Sequence, residues 1–152
     1  MHKNIQHTCF YISFLLCIKV GYSQHILAQH WQIWKTLAQV QFKTIQKQGK
    51  EIDIPVFSAE LQKLEGKEIY ITGYLIPLEE TNRQDYFVLS AYPYNDCYFC
   101  GGAGIETVIE VYAQEKIPYS RKPISLKGIL KLNTQNSENL LFMLKNATLL
   151  AK

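Results

Sequence analysis

Glu68-Ile69-Tyr70-Ile71-Thr72-Gly73-Tyr74-Leu75-Ile76, closed by Pro77, is the stretch that decides the fold. Apolar side chains fall at both parities, so both faces of this strand should be covered and the strand should be central. Gly73 interrupts it midway. A glycine inside an apolar strand marks a bend or bulge, the device that curls a sheet toward a barrel. Working outward, Tyr86-Phe87-Val88-Leu89 reads as the partner strand across a polar turn, and Thr107 to Tyr112 as the next. Ile124 to Leu132 and Leu140 to Leu149 follow, around the turn 133–139. Five short strands with a central bend and no long helix predict a mainly β chain built on a small OB-like five-stranded barrel. Ten Tyr and seven Phe against two Met agree with a sheet-rich core.

Upstream of the barrel, Gln24 to Ala38 has helical spacing, with Trp31, Trp34 and Ala38 at i, i+3, i+7. Two tryptophans so placed are expected to dock a terminal helix rather than to bind a ligand. Val40 to Lys43 and Glu51 to Phe57 alternate around the turn 46–50 and predict a hairpin, with Pro55 on an edge arm. Ser58 and Gly66 are placed to start and stop a short helix over Ala59 to Glu65.

The N-terminus has the pattern of a secretory signal. Lys3 precedes a ten-residue apolar run, Cys9 to Ile18, too short to span a bilayer and of the length of a signal core. Gly21 and Ser23 are the small residues expected before cleavage. The organisation predicted is therefore a signal peptide over 1–23, a helix, hairpin and short helix over 24–66 packed on the barrel, and the OB-like barrel over 67–152. Thr8 and Leu16, which precede Cys9 and Cys17, are not the small residues of a lipoprotein cleavage site. The expectation is a soluble periplasmic or secreted protein with no transmembrane anchor after cleavage. The signal takes two lysines and no acid with it, which lowers the net charge from +3 to +1. So mild a charge makes nucleic acid a poor candidate partner. With 47% hydrophobic and 19% charged residues in 152, low-complexity disorder is excluded as well.

Chemistry concentrates in one loop. Asn95 to Glu106 holds both cysteines of the chain beyond the signal, three of its eight glycines, and the acids Asp96 and Glu106. Cys97-x-x-Cys100 supports several readings. Two thiolates at this spacing form half of a tetrahedral site for zinc, or bind Cu(I). Cys97, Cys100, Glu106 and Asp96 are the candidate ligands; His25, His30 or a second subunit in a homodimer could complete the shell. Alternatively, the pair closes as a structural disulfide in an oxidising compartment. Thiol–disulfide exchange is the third reading, although the helix N-terminus that usually activates such a thiol is missing from the pattern. Gly101 stands where a haem-attachment motif needs histidine. There is no phosphate loop, no nucleophile elbow and no histidine beside the thiols in sequence, so no enzyme is expected beyond that redox reading. Tyr92, Tyr94 and Tyr98 around the loop could form a stacking surface. Asn146-Ala147-Thr148 matches a glycosylation acceptor, but the strand pattern there predicts burial.

The order Trp34-x-x-Leu37, Pro55-x-Phe57-Ser58, Leu64-x-Gly66-Lys67, Gly73-Tyr74-Leu75-Ile76-Pro77-Leu78, Phe87-x-Leu89 and Val108-Ile109-Glu110-Val111 resembles a family of small exported bacterial proteins with a domain of unknown function. The resemblance runs from Trp34 to about Leu149. Some members of that family are lipoproteins, and some are encoded beside ABC-type permeases linked to zinc uptake. The resemblance therefore implies an accessory role near a membrane transport complex. Family members often carry Cys-x-His and a run of prolines where this chain has Cys97-Tyr98-Phe99-Cys100-Gly101-Gly102. By that resemblance Cys97 matches the family cysteine and Cys100 stands in for the histidine as second ligand, an exchange that favours metal over a disulfide.

Overall fold

In the computed structural model, residues 30–47, 49–78, 80, 82–134 and 138–150 are described. The signal-peptide reading, Cys9, Cys17, His25 and the first turns of the predicted N-terminal helix lie outside them. The described part of that helix, α1, covers 30–37. It is followed by β1 (Gln41–Lys47), β2 (Lys50–Val56), α2 (Ala59–Leu64), β3 (Glu68–Pro77), β4 (Arg83–Ser90), β5 (Val108–Pro118), β6 (Ile124–Leu132) and β7 (Phe142–Leu149).

Five strands close on themselves in the order β3-β4-β5-β7-β6. Every neighbouring pair is antiparallel except β5 and β7, which run parallel. This closed, mixed barrel is consistent with the OB-like five-stranded barrel that the strand pattern predicts. β3 turns the corner at Gly73. Residues Glu68 to Gly73 pair with β6, and Tyr74 to Pro77 pair with β4. A Cβ at Gly73 would sit 2.5 Å from the Ser90 carbonyl oxygen and 2.9 Å from Leu89 Cγ. Only a residue without a side chain lets the two strands approach this closely.

The interior is filled by one parity of each strand: Ile71 from β3, Phe87 and Leu89 from β4, Ile109 from β5, Leu126 from β6 and Phe142 from β7, all fully buried. Trp34 and Leu37 of α1 and Leu61 of α2 join the same core. Trp34 Nε1 donates to the Thr72 carbonyl at 2.7 Å, and Trp31 meets Tyr74 edge to face at 6.3 Å. Both tryptophans therefore dock α1 on β3, as expected of them. α2 starts at Ser58, whose Oγ accepts from Leu61 N. It ends beside the β3–β6 seam, where Gly66 N donates to Leu130 O at 2.8 Å and Leu130 N to Lys67 O at 2.9 Å.

β1 and β2 form a separate two-stranded ribbon with mostly exposed side chains. Polar pairs across it, Thr44 with Asp53 and Gln46 with Glu51, suit that exposure. Its flanking residues Val40 and Phe57 tie it to the main core, with Phe57 against Phe142 at 5.9 Å.

β1 runs on to Lys47, into the turn expected at 46–50, and two barrel strands are also longer than their sequence suggests. β4 begins at Arg83 rather than Tyr86, and β5 runs on to Pro118 rather than ending at Tyr112. Their polar ends pair with each other, Arg83 with Pro118 and Gln84 with Ile117, past a bulge before Tyr86. Hydrogen bonds of the ladder, not apolar alternation, extend these strands. At Asn146 the expected burial is overturned. The residue is exposed, with φ of 53°, beside the irregularity in the β6–β7 pairing. Among the described residues no helix is long and apolar enough to cross a membrane.

Candidate functional site

The loop 91–107 joins β4 to β5. Its base is closed by Ala91 N donating to the Thr107 carbonyl at 3.0 Å. Within it the backbone makes three short 3₁₀ turns: Tyr94–Asp96, Tyr98–Cys100 and Ile105–Thr107. The Cys97 carbonyl accepts from both Cys100 N (3.1 Å) and Gly102 N (3.2 Å), and Gly101 N donates to Tyr98 O (3.0 Å). The chain thus wraps tightly around Cys97. Gly101 leaves the turn with φ of 75°, and a Cβ at Gly102 would stand 2.7 Å from the Asp96 carbonyl oxygen. The glycine pair after Cys100 is what this turn requires, one for its handedness and one for the close approach.

A small apolar cluster seats the loop. Ile76, Val88 and Val108 point away from the main core on adjacent strands. Tyr98 and Ile105 of the loop cover them from one side and Leu140 from another. Cys97, next to Tyr98, is fully buried, whereas Cys100 is exposed; both are free thiols. Desolvation within the loop raises the Cys100 pKa first. The adjacent Cys97 thiol adds to this by charge and hydrogen bond, and the Asp96 carboxylate adds the rest. Cys97 and Cys100 stand at the two ends of one turn, closed by Cys100 N donating to the Cys97 carbonyl. A tetrahedral zinc with Zn–S bonds of ~2.3 Å needs two thiolates about 3.8 Å apart.

The other candidate ligands are placed differently. Asp96 is exposed and acts on Cys100 through its charge. The Glu106 carboxylate folds back over Gly104 within its own turn. His30 lies in α1, stacked on Tyr70 at 5.3 Å, and its burial lowers its pKa. Tyr70 is six residues along β3 from Ile76, which at the usual strand rise is roughly 20 Å. Among the described residues no group of three or more His, Cys, Asp or Glu side chains is placed to hold one metal ion. Of these candidates, Cys97 and Cys100 share one backbone turn.

Sequence reasoning missed Glu110. It is 4% exposed. Its Oε2 accepts from Tyr112 Oη (2.9 Å) and Asn139 Nδ2 (2.8 Å), and its Oε1 accepts from Leu140 N (2.7 Å). Burial, followed by the hydrogen bond and charge of Glu110, pushes the Tyr112 phenol far above its ordinary range. Lys145 Nζ sits 3.0 Å from the centre of the Tyr112 ring, and its burial lowers its pKa against the pull of Glu110. This network pins residues 139–140 to the barrel and brings Leu140 onto the cluster beneath the thiol loop. The available signal was an acid between Val108-Ile109 and Val111, in a strand apolar on both faces.

The outer face of β4 and β5 is where an OB barrel ordinarily takes its ligand. In this chain Tyr98 and Ile105 of the loop 91–107, with Leu140, cover Val88 and Val108 on that face, while the Tyr86 and Tyr112 rings meet at 4.9 Å, tilted by 35°. Tyr92 and Tyr94 are exposed, and Tyr98 is half-buried against the cluster under the loop. The comparisons with known proteins return no match, whether to a family model, a curated protein or a solved structure.

Proposed function

We propose that this protein is an exported, non-enzymatic accessory protein that binds a soft metal ion through Cys97 and Cys100, in the service of a membrane transport complex. Zinc is the first choice of metal and Cu(I) the second. The observation that carries the reading is the thiol pair itself. Cys97 and Cys100 are held at the two ends of one short turn, closed by backbone hydrogen bonds to the Cys97 carbonyl and followed by two positions that favour glycine. Export rests on the N-terminal signal pattern, and the transport role on the family resemblance. The β4–β5 face being covered by the chain's own loop supports a role centred on the loop rather than on single-stranded nucleic acid.

The same turn supports a second reading, in which the pair closes to a disulfide and the protein is an interaction module. A bridge across so short a loop would add little stability through chain entropy. An activated nucleophile gains less support, because the Cys100 thiol is raised where exchange catalysts depress theirs.

The test is zinc titration of the reduced full chain, carrying Cys9→Ser and Cys17→Ser so that only the loop thiols report. Stoichiometric binding is expected, and Cys97→Ser should abolish it. The raised Cys100 thiol carries its proton at neutral pH, so the metal must displace it. Apparent affinity should therefore rise between pH 6 and pH 8 by about tenfold per unit for each proton released. No stoichiometric binding, or binding untouched by Cys97→Ser, would overturn the reading.

A further inference from the structure

We propose that the β1–β2 ribbon docks on an anionic bilayer surface through one of its faces, with Ile45, Ile52, Ile54 and Val56 toward the acyl chains and Lys43, Lys47 and Lys50 among the phosphate headgroups. The inference is independent of the thiols and of any metal. The strand register sorts the ribbon's side chains by face. Gln41 opposite Val56, Lys43 opposite Ile54, Ile45 opposite Ile52 and Lys47 opposite Lys50 share one face. Phe42 opposite Pro55, Thr44 opposite Asp53 and Gln46 opposite Glu51 share the other. The first face carries three lysines and no acid, the second two acids and no lysine. The acids are satisfied where they stand, Asp53 by Thr44 Oγ1 at 2.6 Å and Glu51 by Gln46 Nε2 at 2.9 Å.

The lysines are not. All three are exposed, and the ion pairs among the described residues join Lys127 to Glu68 and Lys131 to Glu65 instead. Lys47 and Lys50 stand directly opposite each other at the tip, an arrangement of like charges that destabilises a strand pair. Lysines that served only to keep an edge from pairing would not need to sort by face. An anionic surface against that face relieves the repulsion. Ile45, Ile52 and Ile54 belong to neither apolar cluster of the barrel, and Val56 is 43% exposed. The ribbon forms no ladder with the barrel and is tied to the main core at its flanks, through Val40 and Phe57. Aliphatic side chains flanked by lysines suit a bilayer interface. The apolar part enters the acyl boundary, and the long lysine stems keep their ammonium groups at the headgroups. Nucleic acid fits less well, because this face offers no aromatic ring on which a base could stack. A protein partner fits less well too, because lysine is depleted at the centres of such interfaces.

The experiment uses the full chain and vesicles of phosphatidylcholine with or without phosphatidylglycerol, read by co-sedimentation. Phosphatidylglycerol should strengthen binding, and added salt should weaken it. The triple variant Lys43→Gln, Lys47→Gln, Lys50→Gln should lose about fivefold per lysine, roughly a hundredfold in all. A control triple of Lys67→Gln, Lys116→Gln and Lys122→Gln, at exposed residues outside the ribbon, removes the same charge and should retain binding. Val56→Asp puts a carboxylate on the docking face and should also release the chain. The unfolding midpoint should not fall in either ribbon variant, and in the ribbon triple it should rise slightly, since Lys47 no longer faces Lys50. Equal loss in both triples would overturn the proposal, because net charge alone would then explain binding. Binding unmoved by the ribbon triple would overturn it too and assign the contact to the apolar run Cys9 to Ile18. So would a chain that ignores the vesicles and takes up single-stranded DNA, or a second copy of itself, through the same lysines.

Discussion

Inside the barrel, Phe87, Leu89, Ile109, Leu126 and Phe142 are fully buried against one another and against Trp34, Leu37 and Leu61 from the helices. Outside it, the loop 91–107 rests on three strand residues, Ile76, Val88 and Val108, under Tyr98 and Ile105. One region is held by a large continuous apolar volume. The other is held by a few side chains, backbone hydrogen bonds inside three short turns, and a buried carboxylate at its margin. The contrast teaches a division of labour. The interior fixes the barrel whatever the loop carries, and the loop can be altered in chemistry at little cost to the fold.

The largest expected effect tests the interior. Phe142 is fully buried on β7 and touches Phe57 at the link to the ribbon. Truncating such an aromatic costs ~3–5 kcal/mol through lost burial and the cavity left behind. Denaturant unfolding of Phe142→Ala should show that loss, with zinc binding falling only in step with the unfolded fraction. A much smaller loss would mean that the interior is less well packed than its burial implies, and the contrast with the loop would collapse.

The division also explains what the sequence disclosed. Interior strands announce themselves because alternation is written residue by residue, as in Glu68 to Pro77 with Gly73 at the corner. Capping is equally local, as at Ser58. The polar ends of β4 and β5 were hidden because 113–116 carry little apolar signal and gain their conformation from pairing across the sheet. In the loop, Cys97, Cys100 and the glycines were legible from spacing alone. Their seat was not, because Ile76, Val88, Val108 and Leu140 come from four separate stretches of chain. Glu110 was the deepest omission. Its one local signal, an acid in a strand apolar on both faces, does not name its partners, because Asn139 and Leu140 lie some thirty residues away.

Glu110 joins the two regions, so its removal should have an intermediate effect. Glu110→Ala removes the acceptor of three hydrogen bonds at a site almost closed to water. Leaving buried donors without that acceptor costs about 2–3 kcal/mol. Hydrogen exchange gives the sharper readout. Protection at Leu140 and through the loop should fall while protection in β3 and β6 is retained. If exchange rises uniformly through the barrel instead, Glu110 belongs to the global fold, and the boundary drawn between interior and loop is misplaced.

The smallest expected effect on stability comes with the largest expected effect on binding. Cys100 is exposed. The turn around it is made by backbone groups and by Gly101 and Gly102, none of which needs the sulfur. Cys100→Ser should therefore leave the unfolding midpoint where it was. A serine hydroxyl is a far poorer ligand for a soft ion than a thiolate, so zinc affinity should fall by at least about a hundredfold, a change of ~2.7 kcal/mol in binding free energy. Circular dichroism and competition against a chromophoric chelator measure the two sides on one sample. A shift in the midpoint matching that of Cys97→Ser would show that the thiol pair supports the loop's structure. An unchanged affinity would move the metal elsewhere. Only loss of binding on an unaltered fold keeps the loop as the region where chemistry varies while the barrel stays fixed.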